Sequence, residues 1–247
     1  MAKKTPPKPW MTLVIGALVL GSLFLIFWRT PSEQQMGVVY KIFYFHVGSA
    51  MASLVLFLGC SLTSAGYLIM RRMSGFRVLG AKSERLAFAM SEVGVVFGLI
   101  VLVTGPLWAK PAWGTYWTWE PRLTLMLLTW FLFVGYIVMR RYAGTDEAGR
   151  RLSAGIALMG APATYLIHVA VKMWGGNHPT VVTEGGGGLQ SPEMQTAFAV
   201  TLVTVGLLAT YLVQGRYAQH ALNDAVDDLF LDLSDLEDAR CAGSRSS

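Results

Sequence analysis

Charge is scarce in this chain. Only 14% of its 247 residues are Asp, Glu, Lys or Arg, against roughly 25% in an ordinary soluble domain. Cysteine is scarcer still, at two. Cys60 falls inside an apolar run and Cys241 in the polar C-terminal stretch, a separation across which they are not expected to pair. Neither a disulfide framework nor a Cys-based metal site is therefore expected. The sequence also lacks a Walker motif, a metalloprotease helix, a Cys-x-x-Cys pair and a Ser–His–Asp set. Its one glycine run, Gly185-Gly186-Gly187-Gly188, has no following Lys and Ser or Thr at a helix start, so it reads as a flexible strap or simple slack rather than a phosphate loop. The chain is not expected to be an enzyme, and any ATPase activity in its pathway would belong to a partner.

Apolar residues, in contrast, make up 53% of the sequence. They gather into six runs, Trp10–Trp28, Ile42–Met70, Leu86–Leu107, Leu123–Met139, Leu152–Met173 and Met194–Val213. Stretches of about 17 to 25 apolar residues are long enough to cross a hydrocarbon core. The expected fold is all-α, a polytopic integral membrane protein with six transmembrane helices forming one membrane domain over residues 1–215. Lys and Arg set its orientation. Lys3, Lys4 and Lys8, then Arg71, Arg72, Arg77, Lys82 and Arg85, then Arg140, Arg141, Arg150, Arg151 and Arg216 fall at one set of helix ends, against Arg29, Lys41, Lys110, Arg122 and Lys172 at the other. This bias predicts both termini in the cytoplasm. The pI of about 9.3 thus reports topology, with no nucleic-acid-binding patch behind it. The first run ends in Trp28-Arg29-Thr30-Pro31 with no small-residue cleavage site, so an uncleaved anchor is expected.

Residues 216–247 are expected to form an acidic amphipathic tail. Leu222, Val226, Leu229, Phe230, Leu233 and Leu236 recur at helical spacing, with acids on the other face. This helix either binds a partner or is simply solvated. Its acids disfavour docking on an anionic leaflet.

Between the third and fourth runs, residues 108–121 read Trp108-Ala109-Lys110-Pro111-Ala112-Trp113-Gly114-Thr115-Tyr116-Trp117-Thr118-Trp119-Glu120-Pro121 and hold four of the eight tryptophans. The orientation puts this segment outside. Pro111 suits a helix's first turn and Pro121 restricts Glu120, which predicts a short interfacial helix over 111–120 with Trp113, Tyr116 and Trp117 on one face. Such a face is a platform for a flat ligand. The alternative is the aromatic belt of a membrane interface, which accounts for Trp10, Trp28 and Trp130 better than for four tryptophans in twelve residues.

Of the four histidines, His46 near the outer start of the second run and His178 just past the outer end of the fifth are on the platform's side. Imidazoles from two helices can clamp a haem iron from opposite faces. His168, inside the fifth run, is expected to hydrogen-bond a neighbouring helix, and His220 to be solvated. Glu92 is expected to snorkel or to pair with a basic residue.

The run from Leu102 to Thr124, centred on Trp113-Gly114-Thr115-Tyr116-Trp117-Thr118-Trp119-Glu120, resembles the tryptophan-rich "WWD" signature of haem-handling proteins. It is most similar to the haem exporter protein C (CcmC) family of cytochrome c maturation. His46 followed by Val-Gly-Ser-Ala, and His178 after a Trp, agree with it over essentially the whole chain. The resemblance implies haem b held outside the bacterial inner membrane by Trp108, Trp113, Tyr116, Trp117, Trp119 and Glu120, with His46 and His178 as axial ligands. It also implies delivery of haem to a periplasmic membrane-anchored haem chaperone, beside the ATPase and membrane subunits of an ABC transporter and a small single-span subunit. Glu120 stands where the family usually has Asp, Tyr116 where Trp is common, and Gly175-Gly176 before His178 also departs from the commoner sequence. Two other functions stay open, a direct cytochrome c haem lyase of the same superfamily and a membrane b-type haem oxidoreductase. A generic solute transporter is disfavoured, since no inverted repeat or broken-helix pair appears.

Overall fold

A computed structural model describes residues 8–32, 36–144, 146–176, 189 and 191–244. Every regular element among them is helical. In chain order these are α1 (Pro9–Phe24), α2 (Ile42–Met70), α3 (Arg77–Trp113), α4 (Pro121–Ala143), α5 (Glu147–Leu158), α6 (Gly160–Trp174) and α7 (Pro192–Ser244). A π-helical turn over Leu25–Arg29 prolongs α1, and one-turn 3-10 segments precede α2 and α3. Among the described residues six stretches are long and apolar enough to cross a membrane, Pro9–Arg29, Val38–Met70, Ser74–Trp113, Pro121–Ala143, Glu147–Trp174 and Pro192–Ser234. The protein is a multi-pass helical membrane protein, as composition predicts.

The fifth span is two helices in tandem. Pro162 has no N–H for the carbonyl of Leu158, and the break falls there, at Met159. The Ser61 hydroxyl on α2 lies 3.0 Å from the Phe57 carbonyl of its own helix and 2.7 Å from the Ala157 carbonyl beside the break, which ties α2 to the end of α5. Asp146 caps α5 by accepting from the backbone N–H groups of Ala148 and Gly149.

Lipid tails are as apolar as the side chains, so helix association here rests on close packing and interhelical hydrogen bonds. The α2–α3 pair forms the spine. Gly94 and Gly98 let α3 approach its neighbours: a Cβ at Gly94 would lie 2.9 Å from the Phe57 ring, and one at Gly98 2.8 Å from Trp130. Phe57 and Phe133 stack with centroids 4.2 Å apart, joining α2 to α4, with Tyr136, Met126 and Ile167 around them. Trp130 donates its indole N–H to the Val95 carbonyl at 2.9 Å. It is packed between helices, not in the interfacial belt. On the other side of the spine, Ala209, Val213 and Tyr217 of α7 pack on Leu56, Val93 and Phe97.

Ionic groups tie the Arg-rich end. Arg140 of α4 grips Glu84 of α3 with two guanidinium nitrogens, and both side chains are buried. Glu92 receives Arg141 of α4 at 3.0 Å, Arg216 of α7 at 2.7 Å and His220 of α7 at 2.7 Å. His220 also stacks on Phe88 at 4.4 Å. The expectation of a solvated His220 is therefore corrected, because α7 continues unbroken and carries that residue round to face α3. His168 departs from expectation too. It is exposed on the outer surface of α6 and makes no interhelical hydrogen bond among the described residues.

Candidate functional site

The Trp-rich segment is built differently from the predicted interfacial helix. α3 runs straight through Pro106 and Pro111 to Trp113 and ends at Gly114, whose φ of 77° closes the helix with its N–H on the Lys110 carbonyl at 2.9 Å. Residues 114–120 then form an irregular connection, and Glu120, in extended conformation, precedes Pro121 at the first position of α4. The helix over 111–120 is absent. Proline inside a packed membrane helix costs one backbone bond that neighbours can offset, so Pro111 continues a helix here rather than starting one.

This arrangement splits the aromatic residues between two elements that face one another. Trp108 and Trp113 stand on the last turns of α3, edge to face with centroids 6.0 Å apart. Tyr116 and Trp117 stand on the connection. With His46, Gly105 and Arg122 they line one cleft, of about 890 Å³ counted out to its open mouth. Trp119 packs edge to face on Trp117 at 5.7 Å but is 75% exposed, and it does not line the cleft. Glu120 stays outside as well. Its carboxylate lies against Gly176, where a Cβ would come within 3.1 Å of Oε2. That contact brings the chain past α6 onto the connection two residues before His178. His178 itself, like the glycine run at 185–188, lies outside the described residues.

His46 is oriented by a hydrogen-bond chain. The Thr104 hydroxyl donates to the Ile100 carbonyl at 2.6 Å, which occupies its only proton. It lies 3.0 Å from His46 Nδ1, so it accepts there, and Nδ1 is the protonated nitrogen. Nε2 then carries the lone pair, which is the form a metal ligand requires. Gly105 admits the ring, since a Cβ there would lie 3.2 Å from His46 Cε1.

The cleft is apolar with a few unsatisfied donors. The indole N–H groups of Trp108 and Trp117 are buried with no partner among the described residues. Buried donors are normally paired, and an unpaired one costs about 1–3 kcal/mol. Arg122 adds a cation to the same wall. The surface therefore fits a flat, largely apolar ligand with acceptor or anionic edges and an electrophilic centre for Nε2. Thr104, Gly105 and Arg122 are the functional candidates that sequence reasoning missed. The first two sit at i−4 and i−3 from Trp108 on the same helix, and Arg122 reads only as a topology charge when taken alone.

These features define a class, a six-span helical membrane protein with an aromatic, histidine-bearing cleft at one end of its bundle. The chain belongs to the Heme exporter protein C (CcmC) family, whose model matches residues 2–229. It is 30% identical over 208 residues to the Heme exporter protein C of Bradyrhizobium diazoefficiens, covering 81% of this chain and 74% of that protein. Its counterpart from Escherichia coli K12 is 30% identical over 171 residues, 69% of this chain and 66% of that one. A "cytochrome c biosynthesis ccmC-like mitochondrial protein" of Marchantia polymorpha is 30% identical over 166 residues, 67% of each.

Proposed function

We propose that this chain binds haem in the cleft and passes it on for the maturation of c-type cytochromes. The observation that carries this reading is the convergence on one cleft of a histidine oriented with Nε2 available, four aromatic side chains and two orphaned indole donors. Bound haem supplies a flat apolar macrocycle, an iron that takes imidazole nitrogen and two acidic edges. His46 ligates the iron from the α2 side, and His178 is the second ligand, carried by the segment that leaves α6 beside Glu120. Trp108, Trp113, Tyr116 and Trp117 stack on or edge the ring, and the indole donors with Arg122 hold the propionates. Trp119 and Tyr116, both exposed, form the rim that a recipient meets, with Glu120 bracing the connection behind them.

The haem is of b type, held at the periplasmic face of the inner membrane, and the recipient is a membrane-anchored haem chaperone. An ABC transporter, with its ATPase and membrane subunits, and a small single-span subunit complete the assembly. Both termini are cytoplasmic, with residues 216–247 as a tail beyond the membrane domain of 1–215. A b-type oxidoreductase wants histidines facing one another within the bundle, and the outward-facing His168 does not suit it.

The test is spectral. Purified protein is loaded with haem, and H46A and H178A are compared with wild type. Loss of the low-spin bis-histidine spectrum in each variant is expected. A wild-type spectrum in both variants refutes the axial assignment.

A further inference from the structure

At the end of the bundle away from the cleft lies a second cavity, between the C-terminus of α2 and the first turns of α3 and α5. Tyr67, Arg71, Arg77, Glu84, Glu147 and Arg150 line it. Its two carboxylates are already engaged: Glu84 by the two-pronged contact from Arg140, and Glu147 by Arg71 Nη2. Asp146 nearby is turned onto the N-terminus of α5. Positive charge is left over. Arg71 Nη1 is buried with no partner among the described residues, although the same guanidinium sits over the Tyr67 ring at 5.8 Å. Arg150 spends Nε on the Gly144 carbonyl at 3.1 Å, and its Nη1 stops 3.9 Å from Glu84. Arg77 is exposed, with no ion pair among the described residues.

Three guanidiniums around one cavity, one of them with an orphaned buried nitrogen, match an anion of several oxygens better than water. Guanidinium presents paired N–H donors at the spacing of phosphoryl oxygens. We propose that this cavity binds a phosphoryl-bearing anion, gripped by Arg71, Arg77 and Arg150. Its lining falls where the apolar stretches Val38–Met70, Ser74–Trp113 and Glu147–Trp174 begin or end, so a lipid headgroup and a free phosphate share the chemistry.

The full chain is reconstituted in nanodiscs of phosphatidylcholine alone, of phosphatidylcholine with phosphatidylglycerol, and of phosphatidylcholine with added inorganic pyrophosphate. Thermal unfolding midpoints and phosphatidylglycerol retained in native mass spectrometry are read for wild type, R71Q and R77Q/R150Q. The double variant keeps the Arg71–Glu147 pair, so it separates anion binding from loss of that contact. A rise in the wild-type midpoint with phosphatidylglycerol alone identifies a headgroup, and a rise with pyrophosphate identifies a soluble anion. In either case R77Q/R150Q is expected to bind about tenfold more weakly, the loss of one or two charged hydrogen bonds. Haem titration, read at the opposite end, stays as in wild type. No response of wild type to either anion, or an undiminished response in both variants, overturns the proposal.

Discussion

Replacing Thr104 by Val keeps the shape of the side chain and removes the acceptor that faces His46 Nδ1. In the native arrangement the 2.6 Å bond to Ile100 uses the hydroxyl proton, so the 3.0 Å contact to Nδ1 has one polarity only. Val leaves the Nδ1–H facing a methyl group in a part-buried site, and the ring gains from turning or from moving its proton to Nε2, where it blocks ligation. A neutral hydrogen bond contributes about 0.5–1.5 kcal/mol net. Partners that orient a metal-bound histidine typically alter affinity about 10–100-fold. The two ranges meet near tenfold, about 1.4 kcal/mol, and that is the weakening expected for T104V. The assay is equilibrium haem titration followed at the Soret band, with far-ultraviolet circular dichroism to check that the helices are intact. T104S retains the hydroxyl and should bind nearly as wild type does. Wild-type affinity in T104V, or equal weakening in T104S, would refute the hydroxyl's role.

Two predictions concern stability. E84Q strands Arg140 in a buried position and should cost about 3–5 kcal/mol, whereas E84Q/R140M should recover most of that; denaturation midpoints in detergent compare the two, and a double variant no better than the single one contradicts the reasoning. At Gly160 a Cβ would come 2.3 Å from Phe133 Cζ and 2.8 Å from Ser61 Oγ. G160A should therefore push Phe133 off Phe57 and cost about 1–3 kcal/mol or more, and an unchanged unfolding midpoint would show that the tandem break tolerates a methyl group.

What could be read without coordinates follows from how local each signal is. α2 was legible to the residue, Ile42–Met70, because its apolar run starts and stops at charged neighbours on both sides. The third apolar run, Leu86–Leu107, is shorter than α3 at both ends: charged residues precede it, and Pro106 and Pro111 are strong local punctuation that only tertiary packing overrides. The tandem α5–α6 reads as one run in the sequence because the break leaves hydropathy untouched. At the cleft, residue type and spacing together with the family resemblance single out His46, Trp108, Trp113, Tyr116 and Trp117, all of which line it. Their mutual facing was not legible, because the sheltering geometry comes from a helix end at Gly114 and a return at Pro121 rather than from one helical face. The family resemblance adds Trp119 and Glu120 to them, yet neither lines the cleft, because the irregular connection turns both away from its wall. Thr104 escaped notice because a hydroxyl four residues after Ile100 looks like ordinary back-bonding until the imidazole beside it is known. For Glu92 the sequence leaves snorkelling and a basic partner both open, and in the fold it meets two arginines and a histidine from two other helices.

The length of α7 has a geometric consequence. Fifty-three residues at 1.5 Å each make a rod of about 80 Å, against a hydrocarbon layer of about 30 Å. A rod has an azimuth as well as a length. Arg216 and His220 are pinned to Glu92, and Asp224 is pinned to Arg85 at 2.6 Å, so the rotational phase of the helix is set at the Arg-rich end of the bundle. With about 100° of turn per residue, that phase dictates the bearing on which exposed Leu222, Val226, Leu229 and Leu233 point into the surroundings. One residue inserted between His220 and Asp224 would put the two anchors about 100° out of register with each other, and the apolar stripe would have to take its compass heading from one or the other.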